Sequence, residues 1–185
     1  MDTQTTWVID PIHSEISFKV RHMMITNVKG QFRDFTAKVE STEEGFERAT
    51  VTAEIDARSI FTNNEKRDTH LKSSDFFGVE NHPTLTFESS SFTELGEGTY
   101  QLKGLLTMKG VSNEIELDVK FGGLLPDPFG EEGDKRAGFS FNGKIDRTEW
   151  GLRYNDILES GGVAVSEQVR ISGEVQFVKQ KVPAS

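Results

Sequence analysis

Cysteine is absent from the 185 residues, which removes disulfides, thiolate metal sites and cysteine nucleophiles together. Basic side chains are outnumbered, 21 against 30 acidic, for a formal net charge of −9. Binding to a phosphate backbone requires clustered Lys and Arg, and no long basic run is present, so nucleic acid is not an expected partner. No apolar run approaches the roughly 18 residues of a membrane span. The segment Met1 to Asp10 has neither a basic start nor an apolar centre, so no secretory leader is expected and the chain reads as cytoplasmic. Trp and Tyr are scarce, at 2 each, whereas Phe reaches 14. Phe is the aromatic without a polar handle, and its dominance favours a dry interior.

The chain itself is dominated by alternation with period two, the mark of strands with one buried face. Ile16, Phe18 and Val20 alternate with Ser17, Lys19 and Arg21. A second run begins at Val28, Gly30 and Phe32 and continues on the opposite parity at Phe35, Ala37 and Val39, which predicts a bulge near Arg33 and Asp34. Further runs are centred on Val51, Leu85, Leu102, Leu117, Phe141 and Ile171; Phe92 slips parity within the Leu85 run. Turn signals separate them at Glu44-Gly45, Gly96-Glu97-Gly98 and Lys109-Gly110. Hairpins joined in this way form an up-and-down antiparallel sheet, and closure removes its exposed edges. The last run, about 12 residues or roughly 40 Å at the usual rise, suits an elongated barrel better than a short-stranded sandwich. The expected fold is all-β: one domain over residues 1–185, an extended eight-stranded antiparallel barrel with one or two short helices.

Three segments break the pattern. Thr62 to Ser74 reads as a short helix crossing the barrel, with Thr62 and Glu65 at capping-box spacing. Gly122 to Lys135, with Pro126 and Pro128, reads as a flap at one rim. Trp150 to Gly162 reads as a loop with a helical turn.

Gly30, Gly104, Gly143 and Gly173 sit in mid-strand on the parity of the apolar residues. Such glycines bend long strands so that a sheet can close. They also remove side-chain volume from the inner face, which would leave room for a ligand. On the second reading, Gly143→Leu would fill the cavity.

The chemistry-bearing residues are dispersed. His13, His22, His70 and His82 lack metal-ligand spacing, and there is no nucleophile elbow or phosphate-binding loop. Asp127, Glu131, Glu132 and Asp134 lack the spacing of a calcium loop and read as a solvated acidic loop. Arg67, Asp68 and His70 form the best polar cluster. Asp68 could tie the helix to the rim, or Arg67 and His70 could meet a polar head group at the mouth, with Arg153 contributing similarly.

Several ordered motifs resemble the YceI-like family of lipocalin-like polyisoprenoid-binding proteins. They are Trp7-Val8-Ile9-Asp10, His13-Ser14, Val28-Lys29-Gly30-Gln31-Phe32 and Arg67-Asp68-Thr69-His70-Leu71. Ser74-Asp75-Phe76-Phe77, His82-Pro83, Gly104-Leu105-Leu106-Thr107-Met108-Lys109-Gly110 and Ile145-Asp146-Arg147 continue the match along the chain. The resemblance implies an extended antiparallel barrel that binds a long isoprenoid or similar amphiphile without catalysis.

Strand parity then proposes the lining: Phe18, Val20, Phe32, Val51, Phe87, Gly104, Leu117, Val119, Phe139, Phe141, Gly143, Ile145, Ile171, Gly173 and Val175. Arg67, His70 and Arg153 are the head-group candidates. No metal, cofactor or catalytic residue is expected, the partner is a long-chain isoprenoid or similar amphiphilic lipid, and a homodimer is compatible with the pattern. The rival readings are an enzyme pairing His70 with Asp68 or His13 with Glu15, and a filled-barrel interaction module.

Overall fold

The computed structural model describes residues 4–23, 25–42, 45–154 and 165–181. In chain order the strands are β1 (Gln4–Ile9), β2 (Glu15–His22), β3 (Thr26–Phe32), β4 (Phe35–Thr42), β5 (Gly45–Asp56) and β6 (Ile60–Phe61). The helix α1 (Glu65–Lys72) follows. Then come β7 (Thr84–Gly96), β8 (Thr99–Met108), β9 (Val111–Pro126), β10 (Lys135–Asp146) and β11 (Val165–Lys179).

All the strands belong to one antiparallel sheet, ordered β1-β4-β5-β7-β8-β9-β10-β11-β2-β3-β6, with β1 also paired to β11. That extra pairing closes the barrel. Trp7 to Ile9 of β1 face Lys179 to Phe177, and β2 faces the same strand over Val165 to Glu174. Thus β1 and β2 are two lengths of one stave. Likewise β3 with β4, and β5 with β6, each form one broken stave, and the ring has eight.

The breaks have local causes. Between β1 and β2, Pro11 sits near the start of a single 3-10 turn, and the Asp10 carboxylate caps it by accepting from Ile12 N. Arg33 and Asp34 lie outside any strand: the expected bulge is a full interruption, after which the stave changes partners from β2 and β6 to β1 and β5. A further 3-10 turn, Ala57–Ser59, divides β5 from β6.

The parity slip at Phe92 is a true bulge, with the β7–β8 register shifting between Ser89 and Ser91. The tight turn Lys109-Gly110 has positive φ at both residues, as a two-residue hairpin of the primed type requires. The expected flap is shorter than its composition suggests. β9 runs on to Pro126 and pairs with Lys135, so only residues 127–134 form the loop. The expected helix is also shorter. Its cap is Asn64, whose side chain accepts from Arg67 N, and not Thr62. The reading of residues 150–162 as a loop with a helical turn lies partly outside the described residues; within them, Arg147–Trp150 forms a 3-10 turn ended by Gly151 in the left-handed region.

No helix among the described residues is long and apolar enough to cross a membrane. The core is the barrel interior, where Phe and aliphatic side chains from every stave converge.

Candidate functional site

The interior holds two chambers that share a neck. The inner one, about 190 Å³, is walled by apolar side chains; Ser17 is the sole polar residue on its wall among the described residues. The outer one, about 310 Å³, lies at the barrel end where β2, α1 and the start of β11 meet. Phe18, Phe32, Met108, Ile145 and Ile171 belong to both walls and form the neck. Taken together the two volumes fall within the roughly 300–1,000 Å³ of small-molecule sites.

Inward parity carries most of the proposed lining onto these walls. Phe18, Phe32, Val51, Phe87, Leu117, Val119, Phe139, Phe141, Ile145, Ile171 and Val175 border the inner chamber, and Val20 borders the outer one. Gly104, Gly143 and Gly173 do not open onto free space. A Cβ at Gly104 would meet the Phe87 ring at 2.6 Å, one at Gly173 the Phe141 ring at 2.5 Å, and one at Gly143 the Leu117 side chain at 2.7 Å. Each glycine accommodates a side chain leaning across from the neighbouring strand, an arrangement that relieves the exposed backbone of a strand glycine. Gly143→Leu would therefore collide with Leu117 and the Glu116 carbonyl before reaching the lumen. Lumen space comes instead from small residues such as Ala37 and Ala53, which face each other across β4 and β5 on the chamber wall.

Among the described residues, charged side chains line only the outer chamber. Arg21, Arg67, Arg147, His22 and His70 line it, and no carboxylate does so among the described residues, in a chain of net charge −9. The Arg67–Asp68 cluster is organised by Thr62. Asp68, buried, accepts from Thr62 N at 2.9 Å and from its hydroxyl at 2.5 Å. The same hydroxyl accepts from Arg67 Nε at 2.7 Å, and Arg67 Nη2 donates to the Thr62 carbonyl at 2.6 Å. Opposite charges thus meet on one threonine, which fastens α1 to β6. His70 Nε2 lies 2.9 Å from Asp75 Oδ2, and its ring meets Phe76 and Tyr154 edge-on.

Arg153 is exposed and lines neither chamber. Arg147 lines the outer chamber beside Arg21 and Arg67 and is only 5% exposed. It donates to the carbonyls of Leu152, Tyr154, Val165 and Ser166 at 2.5–3.3 Å. Burial lowers its pKa, opposed by the nearby charges of Glu167 and Asp146. Its signal was in the sequence: Arg147 continues the inward parity of Phe139, Phe141, Gly143 and Ile145.

Neither pairing of the enzyme reading is assembled. Asp68 is engaged by Thr62, and His70 faces Asp75 instead. His13 Nδ1 pairs with Asp10 at 2.8 Å, while Glu15 accepts from Ser17. The acidic loop is internally bonded: Asp127 accepts from Arg136, and Asp134 accepts from Glu131 N. No cluster of three potential metal ligands occurs among the described residues.

Fold and chambers together define a closed antiparallel barrel with an apolar lumen and a cationic mouth. The YceI-like domain matches residues 7–177, and the chain belongs to that family. A UPF0312 protein of Staphylococcus aureus strain N315 is 38% identical over 173 residues, covering 94% of this chain and 97% of that protein. Among solved structures, a YceI protein of Campylobacter jejuni is 30% identical with a TM-score of 0.72, over 87% of this chain and 90% of that one. A polyisoprenoid-binding domain from Saccharophagus degradans shares the fold at 14% identity, with a TM-score of 0.64 over 96% of this chain and 98% of that one.

Proposed function

We propose that this chain binds a long apolar lipid of the isoprenoid type inside the barrel, with the lipid's polar end in the outer chamber, and that it acts by binding rather than by catalysis. The observation that carries this reading is the inner wall, on which every residue but Ser17 is apolar among the described residues. A chamber so lined offers nothing to a polar solute and rewards each methylene that leaves water. At about 0.8 kcal/mol per methylene, ten buried carbons contribute roughly 8 kcal/mol before ordering costs, near a micromolar constant. The mouth favours an anionic or hydrogen-bond-accepting head group, because its wall carries three arginines and, among the described residues, no carboxylate.

The test is to purify the protein without detergent, extract it with organic solvent and analyse the extract by mass spectrometry, alongside an Ala53→Phe variant whose ring fills the inner chamber. Wild type is expected to carry, or to take up on addition, one long-chain prenyl lipid per chain. The variant is expected to fold and carry none. An empty wild-type extract together with failure to take up any added prenyl lipid would overturn the reading.

A further inference from the structure

We propose that Phe46 is the floor of the inner chamber and sets the longest apolar chain the barrel accepts; the inference rests on the lipid-binding reading above. Phe46 lies at the start of β5, beside the β4–β5 hairpin at the end of the barrel away from the mouth. β9 and β10 stand on the opposite side of the ring. Phe46 nevertheless reaches them: its ring centroid is 5.0 Å from that of Phe139, edge-on, and 5.7 Å from that of Phe121. Opposite walls of the barrel therefore touch through this one side chain.

The two faces of Phe46 have different surroundings. Phe46 and Phe139 border the chamber, whereas Trp7 and Phe121 do not. Trp7 packs behind Phe46 at 5.3 Å and is itself held by a hydrogen bond from Nε1 to Ser41 Oγ. The floor is thus backed by a second aromatic layer.

The inward aim of Phe46 is imposed by the backbone. Simple alternation along β5 puts Ala49, Val51 and Ala53 on one face and position 46 on the other. Between Phe46 and Ala49, however, lie two exposed residues, and Arg48 adopts φ +65, an uncommon conformation for a residue with a side chain. The β4–β5 register shifts over the same stretch. This irregularity turns Phe46 from the outer face into the lumen. At the other end the chamber shares its neck residues with the outer one, so a chain entering from the mouth would meet Phe46 at the far end.

The experiment measures binding of all-trans prenols of increasing length, from farnesol through geranylgeraniol to longer homologues, by wild type, Phe46→Ala and Phe46→Trp. Wild type is expected to show a length beyond which affinity stops rising. Phe46→Ala should move that limit upward, binding the longest prenol about tenfold more tightly than wild type, the gain expected when roughly two more methylenes leave water. Farnesol should be bound equally by both, and Phe46→Trp should move the limit downward. Phe46→Leu carries the same test should Phe46→Ala fail to fold. Prenol binding with one unchanged length profile in all variants overturns the floor and leaves the lipid-binding reading standing. No binding of any prenol by wild type overturns both.

Discussion

The Phe18 ring lies over Gly30 on the adjacent strand, and a Cβ added at Gly30 would come within 2.2 Å of Phe18 Cζ. Phe18 is one of the neck residues between the chambers, so the missing side chain at position 30 keeps the ring against the wall and the passage open. Gly30→Ala is expected to push the ring into the neck. Overpacking of this kind costs about 1–3 kcal/mol, and lipid uptake should slow several-fold in a protein that still folds. Stopped-flow uptake of a fluorescent prenyl lipid checks this; unchanged kinetics in the folded variant would count against the neck.

Gly173 provides a contrast. There the added Cβ would meet not only the Phe141 ring but also the Glu15 carbonyl oxygen at 2.5 Å. A ring can swing aside, whereas a carbonyl in a paired strand moves only with its ladder. Gly173→Ala is expected to destabilise more than Gly30→Ala, by at least about 1 kcal/mol in urea unfolding.

Arg147 fastens the two ends of a long connection. Its guanidinium reaches Leu152 and Tyr154 on one side and Val165 and Ser166 on the other. A lysine ammonium is a point charge and cannot span the same acceptors as a planar fork. Arg147→Lys is therefore expected to lose nearly as much stability as Arg147→Ala, on the order of 3 kcal/mol, with several buried carbonyls left unpaired. A lysine variant as stable as wild type in urea would refute this account.

Asp10 contributes acid-sensitive stability. Burial works against its charge, but hydrogen bonds from Arg136, His13 and the Ile12 backbone outweigh it and lower its pKa from 3.8 to about 2. A folded value below the unfolded one means that the stabilisation is complete above about pH 4. It is lost as pH falls from 3.8 toward about 2. Arg136→Ala removes the strongest of the lowering partners and also strips Asp127 of its cation. The acid unfolding midpoint, followed by tryptophan fluorescence, should move to higher pH, and stability at neutral pH should fall by about 2–3 kcal/mol.

Thr62→Val tests the fastening of α1. The valine keeps the shape but leaves Arg67 Nε without its acceptor and deprives Asp68 of its shortest donor. The helix should loosen by about 1–3 kcal/mol, read as faster amide exchange over Glu65–Lys72 with little change in β10 and β11.

The period-two pattern gave the staves because one face of each is buried, and a buried face leaves its imprint on the residue order. Strand parity also placed most of the lumen wall. It did not reveal β1, where polar Thr5 is buried and apolar Val8 exposed, or the two-residue β6, and it left Phe46 unplaced, since a left-handed Arg48 reverses the facing there. The glycines were legible as special positions, but a sequence does not say which neighbour leans into the space; Phe18, Phe87 and Phe141 do so through cross-strand register. Arg153 was chosen at the mouth for its charge alone, whereas the parity of β10 pointed to Arg147.

The breaks in the first three staves fall at one level: Arg33 N to the Ser59 carbonyl and Asp56 N to the Asp34 carbonyl join the second and third, and Gln176 N to Ser14 Oγ ties the first to β11. Below that crease, a ladder joins every pair of neighbouring staves, bulged in places but present all round the ring. Above it, β6 pairs with β3 and no ladder joins it to β7 among the described residues. In a closed ring, a ladder on each side must break before any strand comes away, whereas an open sheet unravels from its edge one strand at a time. The gap between β6 and β7 is thus the one place among the described residues where the rim can part without a ladder being broken.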